Sequence, residues 1–404
     1  MVYPIYALTL TYNIALSTII LVMPLFLRDL GVGPMVLGLA ASVPPLVQLV
    51  LRLPSGAVSD RVGERAVLLT ATTAMALAAV MLVAAARAAA TPLILAALLL
   101  SGMSRAIYWP AAQSYTSRAA GGEPTRALGL FSSIGHFGAI VGTPLAGVIL
   151  AWRGFGAGFG LVAAAAVLGV VLAASLARRD RPSTGDPPGL GGAQPGAAAL
   201  LASLREMLCS RPLLLAGLCM ASSAVPLAML SSFYPVYLAD IGVPEEAIGL
   251  LSACRAVAAA VSSFAFGLVG AKLAPGTAWL LGAGLAGLGV GATPYLGSFA
   301  GLAVAMGLAG IASGTLQVLS MSIVSRASRP ANRSMAMAFA GVFFSIALMV
   351  TPLLMGVMVQ WAGVRIAFTA LGLVWLGLAV VVAAPAGRIM RGLRAPVAKS
   401  VAAG

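Results

Sequence analysis

Runs of about twenty or more residues with almost no charge recur twelve times along this chain, at roughly 4–27, 34–55, 66–88, 92–117, 126–151, 156–177, 212–237, 245–267, 277–297, 299–325, 334–360 and 365–386. Each is long enough to cross a hydrocarbon core as a helix of about 20 residues. The break between the ninth and tenth runs is the weakest, marked only by Gly297 and Ser298. A lipid environment admits only backbones that satisfy their own hydrogen bonds, so the spans are helices or closed barrel strands. Nothing alternates with period two over barrel-strand lengths. With 61% hydrophobic and 8% charged residues, the chain has too little charge to cover a soluble surface. The fold class is therefore all-α integral membrane, with twelve transmembrane helices.

Lys and Arg set the orientation. With a cytoplasmic N-terminus, the inner loops and tail receive seventeen of the 24 basic residues and the outer loops four: Arg28, Arg87, Arg153 and Arg365. That is a strong positive-inside bias. It predicts a multi-pass protein of the cell membrane with both termini cytoplasmic. The net charge of +14 is explained by topology and anionic lipid headgroups, without a nucleic-acid partner. The first span lacks a basic leader and does not read as a cleavable signal. Cys209, Cys219 and Cys254 have no metal-ligand spacing, so neither metal nor cofactor is expected.

The chain also repeats itself. Residues 24–39, PLFLRDLGVGPMVLGL, align with 235–250, PVYLADIGVPEEAIGL, at an offset of 211. Near offset 208, Ser117-Arg118-Ala119 matches Ser325-Arg326-Ala327, and Thr143-Pro144-Leu145 matches Thr351-Pro352-Leu353. One residue later, Trp152, Gly154 and Phe159 match Trp361, Gly363 and Phe368. Several matches in one order make a duplication. Six spans per half put both halves in the same orientation, pseudo-symmetric about the membrane normal, with solute expected between them near the midplane. The expected organisation is a six-helix bundle at 1–177, a Pro- and Gly-rich cytoplasmic linker at 178–211, a second bundle at 212–386 and a basic tail at 387–404.

Between spans 2 and 3 stands GAVSDRVGER, with four charges in six positions. Together with the 6+6 duplication and the long middle segment, it resembles the major facilitator superfamily over essentially the whole chain. The family signature is Gly-x-x-x-Asp-Arg-x-Gly-Arg-Arg/Lys. Gly56, Asp60, Arg61, Gly63 and Arg65 fit it, and Glu64 stands where a basic residue is usual. The resemblance implies a cytoplasmic gate in which Asp60 docks at the start of span 11, around Asn332 to Ser334, favouring the outward-open state. Gly63 suits a tight turn, and Arg61 and Arg65 suit charge-assisted contacts. The second-half counterpart, GLVGAKLAPG, keeps Gly267 and Lys272 but has Ala271 where Asp would stand, so this lock is expected on one side only. Span 5 carries GAIVGTPLAG, similar to the drug–proton antiporter pattern, with Thr143 and Val148 replacing two of its glycines. Small residues at that spacing are equally a helix-packing stripe.

No Asp or Glu lies deep in any span, yet two arginines do: Arg105 near the middle of span 4 and Arg255 about ten residues into span 8. A buried guanidinium needs a partner, and an anionic group on a solute would supply one; backbone carbonyls, hydroxyls and water are the alternative. Arg105, Trp109, Ala112, Gln113 and Thr116 share one face of span 4. Gln317 is the repeat mate of Trp109, and Thr9, Asn13 and Ser17 form a polar stripe on span 1. The substrate-binding candidates are thus Arg105, Trp109, Gln113, Arg255, Asn13 and Gln317. His136, the only histidine, is the one intramembrane side chain whose ordinary pKa suits a coupling proton; a hydrogen-bonded structural role is the alternative.

One histidine, no paired carboxylates and no phosphate-cradling loop leave little for an enzyme or an ATP-driven pump. The reading is a secondary transporter of a small organic solute, anionic or zwitterionic. It is taken as a monomer in lipid, with a proton as candidate coupling partner. A drug efflux antiporter is the second reading, and a non-transporting sensor or lipid-flipping protein of the same fold the third.

Overall fold

The computed structural model describes residues 3–88, 90–119, 124–176, 205–269, 275–328 and 333–394. They are helical almost throughout. In chain order the helices are α1 (Tyr3–Asp29), α2 (Pro34–Val62), α3 (Glu64–Ala88), α4 (Thr91–Ala119), α5 (Pro124–Ser175), α6 (Arg211–Leu230), α7 (Phe233–Asp240), α8 (Glu245–Val269), α9 (Pro275–Gly291), α10 (Phe299–Ala327), α11 (Arg333–Ala362) and α12 (Val364–Arg394).

Among the described residues, ten helical segments are long and apolar enough to cross a membrane. The twelve expected spans map onto these ten and one more. Leu130–Ser175 is 46 residues long, enough for two crossings, and Gly154 breaks it with φ 74°. Helices α6 and α7 form one segment, Arg211–Asp240, and the short α9 is the remaining apolar helix. The weak junction after it is a real break: a 3₁₀ turn at Thr293–Tyr295 precedes Ser298, whose hydroxyl accepts the Gly301 N–H at 3.1 Å and caps α10.

The charged stretch between the second and third spans departs from the sequence picture. It is not a loop: α2 continues helically through Val62, Gly63 alone turns at φ 91°, and α3 starts at Glu64. Hydropathy marks where lipid ends, whereas a helix goes on until its backbone bonding is interrupted.

The described helices form two compact units. The first lies within Met1–Pro187, Leu227–Val257 and Leu348–Ala367, the second within Pro188–Pro226, Ala258–Ala347 and Phe368–Gly404. The units and the sequence halves are different partitions of the chain, because α6, α8, α11 and α12 each run from one unit into the other.

Within the first unit, α1 packs on α5, α3 on α4 and α5, and α2 on α4. The duplication is visible there as geometry. At the end of α1, Gly31 turns at φ 71°, with Val32 N–H bonding to Leu27 O; at the end of α7, Gly242 turns at φ 85°, with Val243 N–H bonding to Leu238 O. These are the same left-handed helix cap, built twice. Beyond each cap the next helix crosses a partner at near backbone contact. A Cβ on Gly356 of α11 would lie 2.9 Å from Pro34 O and 3.4 Å from the Gly38 Cα of α2. A Cβ on Gly249 of α8 would lie 2.6 Å from Thr143 O and 3.2 Å from the Gly147 Cα of α5. Ser42 seals the first crossing, donating to Met349 O at 2.7 Å. One ion pair, Arg28 Nε to Asp240 Oδ1 at 2.6 Å, joins the two caps.

The second unit has its own core, in which Trp279, Leu316, Ile323, Val324, Ala336 and Ala216 are fully buried. Trp279 donates its indole N–H to Ala379 O at 3.2 Å, and Ser320 donates to Ala216 O at 2.7 Å.

The crossings give a direct test. Gly249→Ala and Gly356→Ala force a methyl into neighbouring backbone, an overpacking cost of about 1–3 kcal/mol each. Both are expected to lower the melting temperature in detergent, whereas Gly377→Ala, with nothing within 4 Å of its Cβ position, is not.

Candidate functional site

In the first unit α1 and α4 are locked together by a relay of hydroxyls. Tyr12 and Tyr108 stack with ring centroids 3.6 Å apart and 3° between planes. Ser104 donates to Ala71 O at 2.7 Å, so its single proton is committed, and the Tyr12 hydroxyl, 3.0 Å away, donates to Ser104 Oγ. In the same way Thr9 donates to Ile5 O at 2.7 Å and accepts from the Tyr108 hydroxyl at 3.2 Å. Asn13 sits one turn on, its amide donating to Thr9 O at 2.8 Å. Each of these groups is buried and satisfied, which makes the pair of helices a stiff platform.

That platform aims Trp109. Its ring packs edge-to-face between Tyr108, centroids 5.7 Å apart, and Phe131 of α5, 5.9 Å apart. Opposite the ring, α5 presents Gly135; a Cβ there would lie 3.5 Å from Asn13 Nδ2 and 3.8 Å from Trp109 Cη2. His136 is the next residue. Asn13, Trp109 and the start of the His136 turn therefore share one neighbourhood, built from α1, α4 and α5.

The two deep arginines adjoin it. Arg105, one turn before Trp109, lies within electrostatic range of Tyr12. Arg255, on α8, lies within electrostatic range of His136. Both Nε atoms are buried without a hydrogen-bond partner, and neither guanidinium has an ion pair among the described residues. The sequence alone placed both too deep for easy snorkelling; the structure adds that the second-half residue Arg255 is within electrostatic range of the first-half residue His136.

Of the remaining candidates, Gln113 is exposed, while Ala112 and Thr116 turn into the protein, Thr116 bonding to Ala112 O at 2.7 Å. Gln317 is half-buried in the second unit, one turn beyond Ser313. There a buried Ser313 Oγ lacks a partner, as does Ser263 Oγ. Ser222 and Ser223 bond to their own helix, at Leu218 O and Met220 O. In span 5 the antiporter-like pattern has a packing role: Gly138 lies against Asn13 and Leu10, Gly142 against Ile14, and Gly147 against Glu245 and Glu246.

At the motif, Gly63 supplies the turn and Arg65 donates to Ala174 O. Gly56, Asp60 and Arg61 belong to α2, but the side chains of Asp60 and Arg61, and in the expected docking region Asn332 and the side chains of Arg333 and Ser334, lie outside the described residues. Glu64, the departure from the signature, is the anchor that sequence reasoning missed. It is 8% exposed, accepts from Ser114 and pairs with Arg118 Nε at 3.1 Å, tying the start of α3 to the end of α4. Its place at the first turn of a helix was the available signal. Also missed was the Arg28–Asp240 pair, beside a cavity of about 240 Å³ lined by Val32, Leu37, Phe233, Tyr237 and Val359.

The family profile described as Major Facilitator Superfamily matches residues 5–244 and 218–398. No curated protein matches the chain. Among solved structures, a bacterial homologue of the human lysosomal transporter Spinster, inward-facing and unoccupied, is 18% identical, with 98% of each chain covered and a TM-score of 0.77. The nucleoside transporter NupG is 14% identical over 96% of this chain and 99% of its own, TM-score 0.76. A POT family transporter in complex with 5-aminolevulinic acid is 14% identical over 96% of both chains, TM-score 0.77. At such identities the likeness is one of fold.

Glu64→Gln should destabilise the protein by about 1.5–3 kcal/mol, the worth of a hydrogen bond to a charged group. Arg118→Gln should cost less, because its side chain is 46% exposed and water replaces the contact. Thermal unfolding of the two variants side by side checks the order.

Proposed function

The chain belongs to the Major Facilitator Superfamily and is a multi-pass membrane transporter rather than an enzyme, and from that premise we propose that it carries a small organic anion or zwitterion by alternating access. The site residues are Arg105, Arg255, Trp109 and Asn13, with His136 as the candidate proton carrier. The moving bodies are the two six-helix bundles, residues 1–177 and 212–386, in the cell membrane with both termini cytoplasmic.

One observation carries this reading: two half-buried intramembrane arginines, each with a buried Nε that lacks a hydrogen-bond partner and with no ion pair among the described residues. An arginine stays charged at any physiological pH. Leaving one buried and unpaired costs several kcal/mol, and an anionic cargo removes that cost through charge-assisted bonds in fork geometry. Trp109, held edge-to-face by Tyr108 and Phe131, offers an apolar wall to the remainder of the solute. Cationic drug export, by contrast, asks for a membrane carboxylate. The glycine pattern that suggested it is accounted for by close helix packing.

A thermal-shift screen of detergent-purified protein against phosphate, aromatic and aliphatic carboxylates, and lipophilic cations tests the proposal. Anions are expected to raise the melting temperature. Arg105→Ala and Arg255→Ala should each weaken the apparent affinity at least about thirtyfold, the equivalent of about 2 kcal/mol for truncating one side of a buried charged contact. Absence of anion stabilisation, or its survival in both variants, overturns the reading. For the proton, uptake that rises toward acid pH in the native protein should lose that dependence in His136→Gln; an unchanged profile removes His136 from coupling.

A further inference from the structure

The two arginines bear on the return stroke as well as on the cargo. When the solute leaves, Arg105 and Arg255 stay charged. Among the described residues no acid pairs with either; Glu64, the one carboxylate that α3 and α4 carry, is taken by Arg118 and Ser114. The tyrosine hydroxyls on the Arg105 side keep their protons and supply no negative charge: Tyr12 donates to Ser104, and Tyr108 to Thr9. His136, within electrostatic range of Arg255, supplies no negative charge in either protonation state. An open site can hydrate such charges. A carrier that alternates must also pass through a stage closed on both sides, and closing an empty site strips that water from uncompensated cations. An anion in the site, whichever anion it is, lifts the penalty.

We infer that the protein is an anion exchanger: the return stroke needs an anion bound just as the forward stroke does, and a small inorganic anion serves as counter-substrate. This rests on the anionic-solute reading above and adds to it the mode of transport.

The test uses full-length protein in liposomes loaded with radiolabelled phosphate and radiolabelled phthalate, with the membrane potential clamped. The outer medium contains either polyglutamate, too large to enter the site, or unlabelled phosphate. Exchange predicts that outer phosphate speeds loss of label at least tenfold. It also predicts that Arg105→Gln and Arg255→Gln, which keep a donor but drop a charge, bring that ratio toward one. Protein-dependent efflux that is equally fast into polyglutamate overturns exchange and leaves the anion site standing. So does a thermal shift with either anion without stimulated efflux, or a ratio that persists in both variants. If neither anion shifts the melting temperature and neither label moves, the anion reading falls and exchange falls with it.

Discussion

A side-chain hydroxyl or amide in lipid has to find its partner inside the protein, because the surrounding chains offer none. Most polar groups here answer by bending back onto their own helix: Thr72 to Leu68 O, Ser101 to Leu98 O, Ser252 to Ile248 O, Thr293 to Gly289 O. Others stitch helices together, as Ser42 does with Met349 O and Ser320 with Ala216 O. Against that background the exceptions are informative. A buried Arg105 or Arg255 Nε with no acceptor is a group the fold has left over. The same requirement that makes the chain helical therefore picks out the residues that helices alone do not explain.

The duplication gave two equivalent corners, and later sequence change made them unequal. Asp29 and Asp240 are repeat mates, but Arg28 faces Ala239 in the register of the other copy, so only one of two symmetric ion pairs exists. Trp109 and Gln317 are mates too, as are Arg105 and Ser313. In this pair of repeat helices the first copy carries the aromatic and cationic groups, with a hydroxyl relay beside them, and the second carries neutral polar ones. Where the copies must still do the same mechanical task, at the helix caps and the glycine crossings, they remain alike.

Much of this was legible in the sequence, for identifiable reasons. Span length and charge position report the thickness of lipid, so the crossings were readable, including the break at Gly154 and the weak one before Ser298. The polar stripe on α1 was readable because i, i+4 spacing defines a face. A face, however, does not say what it meets. Arg105, Trp109, Ala112, Gln113 and Thr116 share one on paper, but Gln113 is exposed while Ala112 and Thr116 are buried. Arg28 and Asp240 are 212 residues apart, and Arg255 reaches His136 from the other half of the chain. Such pairings depend on helix rotation and tilt, which neighbouring helices set. Glu64 was overlooked for a different reason: measured against a signature it is a mismatch, whereas measured against its helix it is a negative charge at the favourable end with an arginine in reach.

The balance of forces at the joined caps also bears on how a carrier of this kind moves. Arg28 and Asp240 are 40% and 56% exposed, and pairs so wet contribute about 0–1 kcal/mol. They set register and little else. What holds that end together is the near contact of α2 with α11 and of α8 with α5, where glycines let backbones meet without side chains between them. Contacts of this type are short-ranged dispersion. Separating them by an ångström or two forfeits the attraction, yet strands no buried charge and no long side chain. An interface so built opens at modest cost and closes again in the same register. On the proposed reading, the more expensive term, two arginines whose buried Nε atoms lack partners, is left to the solute site.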